Sequence, residues 1–305
     1  MDHILTVDAL SKEYGKAQVL KGISLQIPRG SIYGLVGKNG AGKTTLMRII
    51  TGLQEPSSGT YTLSGVKNTD RKIDLMRRRM GSLVETPALY KNMSARDNIK
   101  IQYLNLGLTT YDDIDGLIKL VGLEGAGKKP AGKFSLGMRQ RLGIAVAMCG
   151  NPDILVLDEP INGLDPQGIV EIRELLIKIN QERNTTMIIS SHILDELSRL
   201  ATHYGFIDNG LIIEQISAEE LYSRVKKASR VTVDDVKGMC RVLDDLDLSY
   251  EISGDNSIDI FDSITATRLV MAAAKENIEI ISFLEKDENL EGYFMNLVGN
   301  GEKRS

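Results

Sequence analysis

A short glycine-rich stretch at positions 37–45 has residue types and a spacing suited to holding a chain of phosphate groups. It reads GKNGAGKTT and matches the pattern G-x-x-x-x-G-K-[ST]. The glycines let the backbone curl so that several N–H groups face one concavity, and the helix that follows adds the positive end of its dipole. A glycine-rich structural turn is the alternative, but the strand pattern before the motif and the helical pattern after it favour a phosphate site.

Two side chains of this motif suit the chemistry of a nucleoside triphosphate. Lys43 is placed to neutralise the β- and γ-phosphates, and the hydroxyl of Thr44 is placed to hold the accompanying Mg²⁺ ion. The residues predicted to contact the nucleotide are Gly37, Lys38, Asn39, Gly40, Ala41, Gly42, Lys43, Thr44 and Thr45.

A pair of acidic residues at the end of a later apolar strand complements this motif. The stretch ILVLDEP at 154–160 reads as a buried strand that ends in Asp158 and Glu159. Asp158 is placed to bind the magnesium ion, and Glu159 is placed to polarise the water that attacks the terminal phosphate. Acidic pairs at strand ends are usually ordinary loop residues, so it is the combination with the phosphate motif that predicts hydrolysis.

A single carboxylate stands where another apolar strand opens into a loop. In GSLVETPALY at 81–90, apolar residues precede Glu85, and Pro87 ends the strand. Taken alone, this pattern indicates a solvated turn residue.

The elements that must position these motifs alternate between strands and helices. Residues 1–36 contain three strand patterns, and later strand patterns alternate with helices such as PQGIVEIRELLIKINQER. Residues 91–150 are helical, and their first helix begins at Ser94 with Asp97 as a partner in a variant of the capping box. The order predicts an α/β fold of the P-loop NTPase type with a mostly parallel core sheet, an N-terminal antiparallel β region and an inserted helical subdomain at about 91–150.

The pattern changes near residue 217, and residues 223–305 indicate an accessory domain. From residue 229 the order is strand, helix, strand, strand, helix, strand, helix, the last helix being NLEGYFMNLV at 289–298. That order is typical of a small α+β domain of the ferredoxin-like type. The domain contains no recognisable catalytic motif, and its role is open between dimer contact and regulation.

The composition favours a soluble globular protein. The chain has 305 residues, of which 42% are hydrophobic and 26% charged, and its net charge of −4 predicts no nucleic-acid partner. Its apolar runs are too short to span a membrane, and its N-terminus lacks a secretory signal pattern. Cys149 and Cys240 suggest neither a disulfide nor a metal framework, and Cys149 is predicted to lie in the core. The cytoplasm is the expected compartment.

Three further stretches narrow the class of nucleotide-hydrolysing protein. FSLGMRQR at 134–141 opens a helix, and INGLDP at 161–166 and SSH at 190–192 follow the acidic strand in that order. With these motifs the chain resembles the ATP-binding cassette (ABC) family, the nucleotide-hydrolysing subunits of membrane transporters, over residues 3–222. The resemblance implies that the nucleotide is ATP and that residues 1–222 form the ATP-binding domain.

The resemblance also implies roles for five more residues. Ser135 and Gly137 match the signature motif, which contacts the γ-phosphate held by the partner subunit. Asp165 matches the loop that joins the two sites, and His192 matches the switch histidine. Tyr14 matches the aromatic residue that stacks on adenine, a contact that contributes about 1–3 kcal/mol.

The chain departs from the family pattern at several positions. Leu136 and Met138 stand where glycine is usual, and Lys38 stands where proline is common. Glu85 occupies the Q-loop, which usually carries glutamine, touches magnesium and the attacking water, and faces the membrane subunit. The glutamate variant, with VETPALYKNMSARDNI and FSLGMRQRLGIA, resembles the branch that exports bacitracin-type or lantibiotic peptides from bacteria. This resemblance implies a catalytic and metal-binding role for Glu85.

We therefore expect the ATP-hydrolysing subunit of a bacterial exporter that serves antimicrobial-peptide export or resistance. The resemblance implies two cassettes that dimerise head to tail on ATP, as a homodimer with two competent sites, and a separate integral-membrane permease. The protein is then expected on the inner face of the cell membrane. An exporter of another small molecule or a lipid is the alternative.

Two alternative functions outside transport fit the sequence less well. Cassettes that act on ribosomes usually occur twice in one chain, and those that act on DNA carry long coiled-coil insertions, whereas this chain has one P-loop and no such insertion. A nucleotide-binding regulator without turnover is disfavoured by the presence of Glu159.

Overall fold

The chain forms two compact units, Met1–Ala218 and Glu219–Ser305, whereas the sequence analysis placed the domain boundary at 222. The computed structural model describes residues 2–111, 113–224, 227–262 and 264–287, together with 292, 293 and 297.

The first unit contains the strands and helices that flank the predicted motifs. Its strands are β1 (His3–Tyr14), β2 (Ala17–Pro28), β3 (Ile32–Val36), β4 (Ser58–Leu63), β5 (Val66–Lys67), β6 (Met80–Leu83), β7 (Ile154–Asp158), β8 (Thr186–Ser191), β9 (His203–Asp208) and β10 (Leu211–Ser217). Its helices are α1 (Lys43–Ile50), α2 (Ile73–Arg77), α3 (Ala95–Asn105), α4 (Ile114–Leu120), α5 (Leu136–Ala147), α6 (Pro166–Arg183) and α7 (Leu194–Ser198). The sequence analysis did not identify β5, α2 and α7, because elements of two to five residues are too short to show a period, and it did not identify the edge strand β10.

The strands form one mostly parallel sheet and one antiparallel sheet, as predicted. The core sheet has the order β10-β9-β3-β8-β7-β6, in which neighbours are parallel except for the antiparallel pair of β9 and β10. The second sheet has the order β2-β1-β4-β5, and all its neighbouring strands are antiparallel. The fold is therefore α/β with an antiparallel β region at the N-terminus.

Helix α1 is held between these two sheets by its apolar side chains. Leu46, Met47, Ile49 and Ile50 are buried and share one apolar cluster with residues of both sheets. Each side chain of this kind contributes roughly 1.5–3 kcal/mol when fully buried. The helix ends at Ile50, and Gly52 beyond its cap has a φ of 79°, a backbone conformation that glycine adopts without strain. This packing fixes the helix that follows the phosphate motif.

The helical subdomain approaches the core sheet at β6. A Cβ atom on Gly81 would lie 2.0 Å from the carbonyl oxygen of Ala147, and one on Gly143 would lie 2.4 Å from Cδ1 of Leu83. Glycine at both positions therefore permits close packing of α5 on β6. The capping box of α3 is present, because Ser94 accepts a hydrogen bond from the backbone of Asp97 and the carboxylate of Asp97 accepts one in return.

The second unit is an α+β arrangement with its own apolar core. Helix α8 (Ala218–Arg224) begins at the last residue of the first unit. The second unit further contains β11 (Lys227–Val233), α9 (Val236–Asp245), β12 (Tyr250–Ile252), β13 (Ser257–Ile260), α10 (Ala266–Lys275) and β14 (Ile280–Asp287). The sheet order is β12-β13-β11-β14 with antiparallel neighbours, which is the arrangement of a split βαβ fold. The helix predicted at 289–298 lies almost wholly outside the described residues.

The position of Cys149 agrees with the sequence analysis. Cys149 is 4% exposed, and burial raises the pKa of its thiol to about 12, so it is a core residue with little thiolate character. Of the helices within the described part of the chain, none combines the length and apolar character needed to cross a bilayer.

Candidate functional site

The phosphate motif, the acidic pair and His192 meet at one edge of the core sheet. Strands β3, β8, β7 and β6 are parallel neighbours, so their carboxyl ends lie together. The phosphate motif follows β3, the acidic pair stands at the end of β7, and His192 follows β8. Ligand sites of open α/β sheets lie at this edge.

The phosphate motif is a tight loop that requires glycine at specific positions. A Cβ atom on Gly37 would lie 2.3 Å from the carbonyl oxygen of Ile207, and one on Gly42 would lie 2.6 Å from a methyl group of Leu20. Gly42 has a φ of 109° and caps α1 without a side chain. The first N–H groups of the helix are thus left for a ligand, and an anion suits them.

The side chain of Lys43 is buried against this loop. Its Nζ donates hydrogen bonds to the carbonyl oxygens of Gly37, at 2.7 Å, and Lys38, at 3.3 Å, and lies 3.5 Å from Oε1 of Glu159. The side chain is only 6% exposed, and a buried ammonium group needs such partners. The lysine is thereby held at the loop that would receive the phosphates.

Thr44 and Asp158 form the second part of the site. The Thr44 hydroxyl donates to Oδ2 of Asp158 at 2.8 Å, and the hydroxyl of Ser190 donates to Oδ1 at 2.5 Å. A hydroxyl and a carboxylate are oxygen ligands that suit Mg²⁺, which keeps most of its other positions for water and phosphate. Within the described residues, no three acidic, histidine or cysteine side chains cluster as a metal site.

Glu159 and His192 form the third part. Nδ1 of His192 lies 2.9 Å from Oε2 of Glu159, a hydrogen-bond distance at which an ionised carboxylate would accept from a protonated Nδ1. Glu159 has a φ of 49°, which is uncommon for a residue with a side chain and is typical of functional positions. Its side chain is therefore held between Lys43 and His192.

Ser190 is a member of this site that the sequence analysis did not identify. Its hydroxyl accepts a hydrogen bond from the backbone N–H of Glu159 at 2.9 Å while donating to Asp158, and the residue is fully buried. One side chain thus fixes both acidic residues. The SSH stretch contained the signal, but the pairing of Ser190 with Asp158 in the sheet register was needed to interpret it.

We expect Ser190→Ala to lower the rate of ATP hydrolysis about 10²-fold, the typical cost of a small misplacement of reacting groups. It should also reduce the free energy of unfolding by about 1–3 kcal/mol, because two buried polar groups lose their partner. Steady-state ATPase assays and denaturant unfolding measure both effects. The matched control is Ser191→Ala, whose equally buried hydroxyl bonds with Ile193 and with no other described residue. An equal loss of rate in both variants would contradict a specific role for Ser190.

Glu85 lies at the same edge of the sheet, but its carboxylate pairs with a residue outside the three parts of the site described above. It follows β6, has a φ of 66°, and forms an ion pair with Arg48 of α1. Its side chain is 56% exposed. The predicted catalytic and metal-binding role of Glu85 stays a prediction.

The predicted adenine-stacking residue is the last residue of β1. Tyr14 is 43% exposed, and its hydroxyl donates to Oε1 of Gln54 at 2.7 Å. Nζ of Lys12 lies 5.4 Å from the ring centre. The half-exposed ring is available for stacking, and the role stays a prediction.

The signature and joining-loop residues are helix caps in this chain. The Ser135 hydroxyl caps α5 by accepting from the N–H of Met138 at 3.2 Å, and the Asp165 carboxylate caps α6 by accepting from the N–H of Gly168 at 2.9 Å. Gly137 lies in the first turn of α5. The hydrogen bonds that the structure shows for Ser135 and Asp165 thus stay within the first turns of their own helices.

Comparison with known proteins identifies the family. Residues 20–162 match the family model described as ABC transporter. The bacitracin transport ATP-binding protein BcrA of Enterococcus faecalis is 37% identical over 306 residues, which cover 99% of this chain and 98% of that protein. This chain belongs to the ABC transporter family.

Two further comparisons agree with this assignment. The lantibiotic transport ATP-binding protein SrtF of Streptococcus pyogenes is 45% identical over 210 residues, covering 69% of this chain and 89% of that protein. Among solved structures, cbiO1 of Clostridium perfringens, part of the ABC transporter complex cbiONQ, has a TM-score of 0.66 and 31% identity, and the match covers 73% of this chain and 92% of that one. The predicted family, the cassette fold and the ATPase activity that powers transport are confirmed.

Proposed function

We propose that this ABC ATPase energises the export of antimicrobial peptides of the bacitracin or lantibiotic kind through a separate permease, on the inner face of a bacterial membrane. The similarity to BcrA over nearly the whole chain carries the proposal. The similarity to SrtF and the glutamate at position 85 support it.

In the proposed reaction the phosphate chain binds the loop N–H groups and Lys43. Thr44 and Asp158 would hold Mg²⁺, which would offset the negative charge of the phosphates. Glu159 accepts the proton of the attacking water, and His192 keeps the Glu159 carboxylate oriented through the Nδ1 hydrogen bond. Ser190 holds the two acidic residues in register with each other.

The partner of the site is proposed to be a second copy of the chain. Ser135 and Gly137 stand at the start of α5, where the cap leaves other N–H groups of the first turn for a ligand. In a head-to-tail homodimer they would meet the γ-phosphate held by the other subunit, and Asp165 would lie between the two sites. Tyr14 would stack on the adenine.

We infer that residues 223–305 form an accessory domain with a role in dimer contact or regulation. The second unit has its own core, in which Val231, Met239, Leu243, Ile258 and Leu269 are buried. The similarity to BcrA extends through this region, since it covers 99% of the chain.

The experiment that tests the proposed function is a resistance assay with a co-purification. A bacitracin-sensitive bacterium would express the chain with the integral-membrane protein that co-purifies with it from its native membranes. We expect the minimal inhibitory concentration of bacitracin or a lantibiotic to rise, and to fall back with Glu159→Gln. Unchanged sensitivity to both peptides, with an intact complex and active ATPase, would contradict the cargo class.

We expect Glu85→Ala to suppress the stimulation of ATPase activity by the permease while sparing ATP binding. A carboxylate about 6 Å from a phosphate charge is repelled by roughly 3 kcal/mol at an effective dielectric constant near 20. Glu85 should therefore engage only when magnesium offsets that charge. Glu85→Gln keeps a carbonyl oxygen and should change stimulated turnover only modestly. The measurement is the ATPase rate against magnesium concentration, with and without the reconstituted permease. Unchanged stimulation in Glu85→Ala would show that Glu85 is only a solvated turn residue.

A further inference from the structure

Two neighbouring strands of the core sheet, β6 and β7, are each followed closely by a glutamate whose backbone is left-handed. Leu83 of β6 pairs with Leu157 of β7 in parallel register, and Glu85 and Glu159 each follow two residues later. Their φ angles are 66° and 49°. Because the strands are parallel, the two carboxylates leave the sheet at the same edge and at the same level.

The partners of these two glutamates differ. Glu159 faces Lys43 and His192, inside the site. Glu85 instead pairs with the guanidinium of Arg48. The same type of residue, at matching positions of adjacent strands, is thus directed into the site in one case and onto a helix in the other.

The helix that receives Glu85 is the one that carries the phosphate-binding residues. Thr44 and Arg48 are four residues apart on α1, so they lie on one helix face about 6 Å apart along its axis. Thr44 bonds to Asp158, the predicted magnesium ligand. The Arg48 pair therefore places the Glu85 carboxylate on the helix that also carries Thr44.

The ion pair between Arg48 and Glu85 is weak enough to open and close reversibly. Both side chains are partly exposed, at 38% for Arg48 and 56% for Glu85. Exposed pairs of this kind shift equilibria by no more than about fivefold. A divalent cation bound with the nucleotide can compete with it.

We propose that Arg48 is a positioning residue that holds Glu85 outside the nucleotide site and releases it when magnesium and nucleotide are both bound. The proposal rests on the proposed role of Glu85 in the site. It explains why a carboxylate can stand next to the phosphate site without repelling a nucleotide that arrives.

The test measures nucleotide affinity without turnover. Binding of a fluorescent ATP analogue is titrated in the Glu159→Gln background, once with magnesium and once with a chelator. Arg48→Ala is made alone and together with Glu85→Gln, so that a double-mutant cycle isolates the part that runs through Glu85. The matched control is Arg79→Ala, which breaks the exposed pair of Arg79 with Asp153 at the opposite end of β6 and β7.

We expect the coupling between Arg48 and Glu85 in nucleotide binding to have opposite signs with magnesium and with the chelator. With magnesium, freeing Glu85 should tighten binding by up to about fivefold, and without magnesium the freed carboxylate should weaken it by a similar factor. Both changes should vanish in the Glu85→Gln background, and Arg79→Ala should cause neither.

Three results of the binding experiment would contradict the proposed role of Arg48. Equal shifts with and without magnesium would overturn the proposal, because a structural or purely electrostatic role of Arg48 predicts them. Shifts that persist in Glu85→Gln would overturn it as well. If magnesium does not affect binding in the parent protein, the proposed magnesium site itself fails, and the further inference fails with it.

Discussion

Glu159→Gln is expected to lower the rate of ATP hydrolysis by about 10²–10⁴-fold while ATP binding is retained. The amide has the size of the carboxylate but cannot accept the proton of the attacking water. It also removes a negative charge near the γ-phosphate, so an ATP-bound dimer should accumulate. Gel filtration with and without ATP, combined with a phosphate-release assay, measures both effects.

The structure supplies a control for this variant. Glu171 is a glutamate of α6 that pairs with Arg141 on the surface, and Glu171→Gln removes the same charge from the same unit. We expect near-normal turnover and no accumulated dimer. A Glu159→Gln protein that stays monomeric with ATP and hydrolyses it at the full rate would show that Glu159 is not the base.

Ser135→Arg is expected to abolish ATP-driven dimerisation and the turnover that depends on it, while nucleotide binding to the monomer stays nearly intact. The bulky cation would occupy the start of α5, where the γ-phosphate of the partner subunit is proposed to bind. The loss of the cap costs roughly a further 0.5–2 kcal/mol of folding stability. Nucleotide titration of the monomer and analytical ultracentrifugation with ATP measure the two properties separately.

Two matched variants separate the cap from the interface. Ser135→Ala removes the hydrogen bond to Met138 without adding bulk, so it should lower stability and weaken dimerisation only in part. Ser94→Ala removes the comparable cap of α3 and should lower stability without affecting dimerisation. If Ser135→Arg abolished nucleotide binding to the monomer as fully as Lys43→Ala does, the signature would act on the nucleotide of its own chain instead.

The features that could be predicted from the sequence depend on contacts between near neighbours in the chain. The loop at 37–45 needs glycine for its backbone angles, and the capping box of Ser94 and Asp97 closes within one turn. Hydrophobicity patterns likewise located most of the long strands, since alternation and apolar runs are properties of consecutive residues. Family resemblance added the roles that no local pattern carries.

The arrangement of the acidic residues was decided only by the tertiary structure. Ser190 bridges Asp158 and Glu159 because β8 lies beside β7, and Glu85, which follows β6, pairs with Arg48 of α1. These contacts join residues that are far apart in the chain, and their geometry follows from strand order and register, which no single stretch encodes. The sequence by itself determined a phosphate-binding loop followed by an acidic strand end, and the folded sheet determined which side chains hold those acidic residues in place.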